Sequence, residues 1–246
     1  MQIDPNQEKS RPTEESQVEP AVAEEAPRFI QYLFFKLDPA WRRLSEGERT
    51  RGRQEFARVV EQTTAVQTFS YSTLGLKIDS DLMLWRTANS LDELQEMLAQ
   101  LLQTGLGLYL QPSYSLFGMT RPSTYTRRRT AQEQAIDEQE RLPYFIVYPF
   151  SKTIEWYLMS KEARQGMMNE HMRVGHEYAK VRQVLLYTTG LDDQEFVVAY
   201  ETDDLHSYQG LLIALRSTEA RRYTLKDQPV FTCIHRPLAE ALRLLG

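Results

Sequence analysis

The sequence predicts an α+β fold made of two copies of one unit, and three observations predict it. The chain matches itself at one offset: Trp41, followed at the third and fourth positions by Leu44 and Ser45, recurs 115 residues later as Trp156, Met159 and Ser160. Thr73, Gly75 and Leu76 return at that offset as Thr188, Gly190 and Leu191, and Trp85 and Thr87 as Tyr200 and Thr202. One register held over about fifty residues marks an internal duplication. Each copy also reads strand, helix, strand, strand, helix. In each, finally, a serine stands where the first helix must begin.

In the first copy FIQYLFFKL (29–37) is a strand, dense in aromatic and β-branched residues. SEGERTRGRQEFARVVEQ (45–62) is a helix opened by a capping box, in which Ser45 and Glu48 satisfy each other's backbone N–H groups. VQTFSYSTLGL (66–76) and DLMLWRTA (81–88) are strands, and SLDELQEMLAQLLQ (90–103) is the second helix. The second copy runs YFIVYPF (144–150), SKEARQGMMNEHMRVGHEY (160–178), VRQVLLYTTGL (181–191), EFVVAYET (195–202) and DLHSYQGLLIALRS (204–217). Two such units pack sheet against sheet or close into a barrel, with the helices outside. The expected division is 28–130 and 131–246.

Composition narrows the function classes. With 246 residues, 41% of them hydrophobic, the chain buries one large core or two smaller ones. A net charge of −5, with Arg127-Arg128-Arg129 as the longest basic run, gives no nucleic-acid footprint, and that run reads as a solvated loop. A single cysteine, Cys233, excludes an intrachain disulfide and any paired-cysteine metal site. No apolar run is long enough for a membrane span. Residues 1–27 are rich in Glu, Gln, Pro and Ser, with no basic segment leading an apolar one. They read as a disordered acidic tail on a cytoplasmic protein.

Two of the four histidines, His171 and His176, fall in one predicted helix. Counted from Ser160, Met167, His171, Val174 and Tyr178 share an apolar face, whereas His176 sits with Asn169, Arg173 and Lys180. Five residues at about 100° each place the imidazoles roughly 140° apart, so they cannot share a metal ion. His171 faces inward and His176 faces solvent. Position alone leaves His171 either a hydrogen-bonded core histidine or a ligand. Zinc is disfavoured, because a closed zinc site wants four protein ligands. Heme needs only one axial imidazole, since the porphyrin supplies four nitrogens.

YFIVYPFSKTIEWYLMSKEARQGMMNEHMRVGHEY, TTGLDDQEFVVAYETDDL and FFKLDPAWRRL together resemble the chlorite dismutase superfamily, heme proteins that include the coproheme decarboxylases. The likeness extends over residues 28–246. It implies two ferredoxin-like units forming a dimeric α+β barrel, with porphyrin held in the C-terminal half and His171 as axial ligand to its iron. It also implies a homo-oligomer, a pentameric ring.

The resemblance assigns further residues. Chlorite dismutases carry an arginine on the strand after the ligand helix; the matching residue here, seven before Gly190, is Gln183, as in the decarboxylases. A neutral amide can donate a hydrogen bond but lacks the fixed positive charge that holds an anionic oxidant. Tyr148 stands where decarboxylases have the tyrosine that is oxidised and takes hydrogen from a propionate β-carbon. Lys152 matches a lysine that pairs with the reacting propionate, and Arg216 an arginine that contacts propionates. Trp156 either floors the pocket or does an architectural job shared with its duplicate Trp41, and Pro149 is expected to bend the chain so that Tyr148 faces a cavity. Arg221 departs from the small hydroxyl residue of other decarboxylases. Ala220, with Glu219 beside it, aligns with the glutamate that supports the axial imidazole in chlorite dismutases. As bare sequence features, Tyr148 reads as a core tyrosine and Lys152 as a surface lysine, and Arg216 is open between a ligand contact and an arginine favouring a helix C-terminus.

The expected activity is peroxide-dependent oxidative decarboxylation of two propionates of iron coproporphyrin III (coproheme), giving heme b. EFVVAYETDDL looks closer to chlorite-degrading members, so a chlorite dismutase or peroxidase-like heme enzyme is the alternative. A heme-binding protein without turnover is a third.

Overall fold

A computed structural model describes residues 28–125 and 139–246 of the protein. The acidic stretch 1–27, the Arg127–Arg129 run and the expected division between 130 and 131 lie outside the described residues. The N-terminal unit comprises β1 (Phe29–Leu37), α1 (Glu46–Gln62), β2 (Gln67–Lys77), β3 (Ser80–Ala88), α2 (Leu91–Leu102) and β4 (Leu110–Met119). The C-terminal unit comprises β5 (Tyr144–Lys152), a short α3 (Ile154–Leu158), α4 (Lys161–His176), β6 (Arg182–Tyr187), β7 (Phe196–Thr202), α5 (Leu205–Arg216), β8 (Thr224–Lys226) and β9 (Phe231–His235), followed by α6 (Leu238–Arg243).

The helices begin where side chains satisfy their first N–H groups. Ser45 and Glu48 form the expected capping box on α1, and Ser90 with Glu93 forms a second on α2. Ser160 Oγ accepts from Ala163 N at 3.2 Å, and Asp204 caps α5. Each unit arranges its strands in one order, β4-β1-β3-β2 in the first and β9-β5-β7-β6 in the second. The sheets join through β2–β9 and β4–β6 and close into a ring of eight antiparallel strands, with β8 attached to β5. The duplicated glycines Gly75 and Gly190 both take left-handed φ, 76° and 78°, which only glycine adopts cheaply.

The repeat is corrected at one point. Tyr32 pairs with Trp85, and its counterpart Val147 pairs with Ala199, so Trp85 corresponds to Ala199 and not to Tyr200. β2 is irregular between Ser72 and Lys77, and from β3 onward the offset is 114. Tyr200 therefore faces outward toward the helices while Trp85 faces the barrel interior. Pro149 does not bend the chain out either: β5 continues through it, pairing Pro149 with Val197. β9 leaves β5 after Val147, so Pro149 stands where one side of the ladder has ended and a residue without N–H is tolerated.

Aromatic rings fill the barrel, Tyr32, Trp85 and Phe145 meeting at centroid distances of 5.2–5.5 Å. Buried within it, Arg141 and Glu201 form an ion pair at 3.3 Å, and the Tyr71 hydroxyl donates to Glu201 at 3.2 Å. Cys233 is a buried free thiol on β9. No helix among the described residues is long and apolar enough to cross a membrane.

Candidate active site

Outside the barrel, α4 and α5 cross the C-terminal sheet and enclose a cavity of about 370 Å³. Strand alternation aims Tyr148, Phe150 and Lys152 of β5 into it, with Gln183 and Leu185 of β6 and Val198 and Tyr200 of β7. α4 contributes Arg164, Met168, His171 and Met172. All six residues singled out from the sequence, Tyr148, Lys152, Trp156, His171, Gln183 and Arg216, line this one cavity, although they come from five different elements.

His171 is half-buried on α4 between Met168 and Met172 at the cavity and Val174 and Tyr178 in the packed core. Its Nδ1 is buried without a hydrogen-bond partner, which leaves Nε2 as the nitrogen reachable from the cavity. Burial, reinforced by the Lys152 charge and opposed by Glu170, lowers its pKa to about 4, so the imidazole is neutral at physiological pH. His176 is exposed as expected, yet it also borders the cavity at the end of the helix. No group of three or more His, Cys, Asp or Glu side chains among the described residues is placed to hold a bare metal ion.

Lys152 donates from Nζ to the Ala220 carbonyl at 3.3 Å, and the ammonium lies 4.5 Å from the centre of the Trp156 ring. Burial, with Arg221 adding and Glu195 opposing, lowers its pKa to about 8. Burial pushes the Tyr148 phenol up; interaction with the Tyr200 hydroxyl and the charges of Arg221 and Arg216 work the other way. Tyr148, Tyr200 and Tyr208 form a ring-to-ring series at 6.2 and 5.4 Å. Arg216 ends α5 exposed at the rim, and Arg221 is paired with Asp227 at 2.6 Å. Ala220 lines the cavity, whereas Glu219 is exposed and pairs with Arg222 at 3.2 Å; among the described residues no carboxylate hydrogen-bonds the His171 Nδ1.

Sequence reasoning missed Arg164, Tyr200 and Tyr157. Arg164 lies seven residues before His171 and thus on the same helix face, a spacing that could have found it. Tyr200 was hidden by the one-residue error in the repeat.

A family model described as chlorite dismutase matches residues 49–236. The chain belongs to the chlorite dismutase family. It is 33% identical over 163 residues to the coproheme decarboxylase of Mycolicibacterium smegmatis, an alignment covering 66% of this chain and 70% of that one. Chlorite dismutase of Candidatus Nitrospira defluvii in complex with imidazole superposes with a TM-score of 0.81 at 28% identity, covering 89% of this chain and 94% of that chain. A mutant of that enzyme with Trp-to-Tyr and Arg-to-Gln substitutions gives 0.81 at 29%, covering 89% and 95%.

The cavity fits an iron porphyrin. It offers one neutral imidazole with Nε2 accessible, walls of Met, Leu, Val and aromatic side chains, and cations at the edge for ring carboxylates.

Proposed function

We propose that the protein is a coproheme decarboxylase: it binds iron coproporphyrin III through His171 Nε2 and uses hydrogen peroxide to convert two propionates to vinyl groups, yielding heme b. The observation that carries this reading is the convergence of Tyr148, Lys152 and His171 on one cavity that Gln183, a neutral amide where the resemblance expects a chlorite dismutase to have arginine, also lines. Each round turns a propionate, one peroxide and one proton into a vinyl group, carbon dioxide and two waters. Bound iron porphyrin supplies the oxidising power that amino-acid side chains lack.

The chain's own residues have separable tasks. The His171 imidazole is kept unprotonated by its burial and so keeps a lone pair for iron. The Tyr148 phenol, held protonated at neutral pH, supplies the group that takes hydrogen from the propionate β-carbon. Lys152 pairs its ammonium with the reacting carboxylate, and a pKa of about 8 in the free protein lets it release a proton near operating pH. Gln183 gives an amide donor without the charge that retains an anionic oxidant. Trp156, 3% exposed beneath the Lys152 ammonium, closes that side to water.

The test is to load the protein with iron coproporphyrin III, titrate peroxide and weigh the products. Two successive losses of a carboxyl group support the reading. Oxygen release from chlorite supports a chlorite dismutase, as the solved relatives are named, and the absence of both products supports a heme-binding protein without turnover. Tyr148→Phe is expected to stop the first decarboxylation while porphyrin binding survives; unchanged turnover places the reacting group elsewhere.

A further inference from the structure

We infer that Arg164 is a ligand-binding residue that pairs with a carboxylate at the edge of the cavity's ligand; this rests on the porphyrin reading above. Arg164 lines the cavity, half-buried, and its Nε is buried without a hydrogen-bond partner. No ion pair holds its guanidinium among the described residues; its neighbour in the field of charges is the Tyr157 phenol. Withdrawing a guanidinium from water with no counter-charge is costly, and an anionic ligand group removes that cost.

The duplication supplies an internal control. The counterpart of Arg164 is Arg49, since α1 and α4 align at the offset of 115. Arg49 Nε is likewise without a partner, but Arg49 Nη2 is paired with Glu46 at 2.6 Å. Glu46 is replaced in the second copy by Lys161, exposed at the first position of α4. The unit that closes its core thus neutralises this arginine internally, and the unit that opens a cavity has exchanged the neutralising carboxylate for a second cation.

Geometry places Arg164 at a useful distance. Seven residues at about 1.5 Å of rise separate it from His171 by about 10 Å along the helix, at nearly the same angle around it. That separation is of the order of the distance from a porphyrin's centre to its peripheral acids. A guanidinium there meets a carboxylate in the fork geometry that arginine favours.

The test is spectral titration of the full chain with iron coproporphyrin III at low salt. Arg164→Gln is expected to weaken binding about tenfold or more, the loss of one charged hydrogen bond, and Arg164→Lys to recover part of it. Lys161→Glu, which installs the carboxylate the N-terminal unit already accommodates, is expected to weaken binding similarly by occupying Arg164. Both effects must appear with the melting temperature of the ligand-free chain unchanged. Affinities of Arg164→Gln and Lys161→Glu within twofold of the parent overturn the inference. A parent chain that binds no iron porphyrin overturns the proposed function instead.

Discussion

The two units share one backbone and use the space between sheet and helices in opposite ways. In the N-terminal unit Trp41, Phe56, Met97, Leu101 and Leu106 pack into it as buried core, joined by Ala241, Leu242 and Leu245 from α6 and beyond. Trp41 Nε1 and Arg53 both donate to the Gly246 carbonyl, at 2.9 and 2.6 Å. In the C-terminal unit Leu33, Leu37, Phe56 and Leu102 become Tyr148, Lys152, His171 and Arg216, and Leu106 becomes Ala220. Helix approach changes too: a Cβ on Gly52 would come within 2.8 Å of the Leu106 backbone nitrogen, whereas the equivalent residue of α4 is Met167. Close packing in one copy supplies rigidity, and the other copy is free to hold polar groups round a void.

Stability measurements break this comparison if it is wrong. Phe56→Ala, at a fully buried core position, is expected to cost about 3–5 kcal/mol in denaturant unfolding. His171→Ala at the equivalent place is expected to cost less than about 1 kcal/mol, because its side chain faces a cavity and has an unpartnered nitrogen. Equal losses mean that the C-terminal space is packed core. The barrel interior offers a second contrast of similar size. Glu201 occupies the position of Thr87, and Glu201→Thr removes the carboxylate paired with the buried Arg141, a loss of about 3 kcal/mol by the same measurement. A loss below about 1 kcal/mol shows that Arg141 is neutralised by another group.

Most of this contrast was legible in residue types because the elements that carry it are locally strong. Ser45, Ser90, Ser160 and Asp204 start helices by their own side chains, and aromatic and β-branched runs form β1, β3, β5 and β7 whatever lies around them. β4 was not legible: Pro112 and Gly118 interrupt LQPSYSLFGM, and only the ring makes it a strand. Pro112 is tolerated because the register shifts beside it and β6 meets β4 only at Met119. β9 and α6 were missed for a related reason, since their faces are defined by contacts with the distant N-terminal unit. At the site, the inward direction of His171 was legible from helix period, and the shared cavity of Tyr148, Lys152 and Gln183 was expected only from resemblance, because period says which way a side chain points and not what it meets. That no ion pair holds Arg164 among the described residues required the three-dimensional arrangement of the carboxylates.

The finest difference between the units is electrical. His171 is titratable where Phe56 is not, and burial holds its folded pKa at about 4, below the ordinary value of about 6.5. Between those values the unfolded chain binds the extra proton and the folded chain does not. His171 therefore draws stability down as pH falls from about 6.5 toward 4, and contributes no further change below both values. His171→Phe, which copies the N-terminal unit, is expected to flatten the pH dependence of unfolding by up to one proton in that window while the fold is kept. Iron-porphyrin ligation in the parent chain should persist on acidification to near pH 4, where a proton begins to compete for the imidazole. Ligation lost near pH 6.5 means that the imidazole is solvated, and the distinction between a packed unit and a chemically equipped one then fails at its central residue.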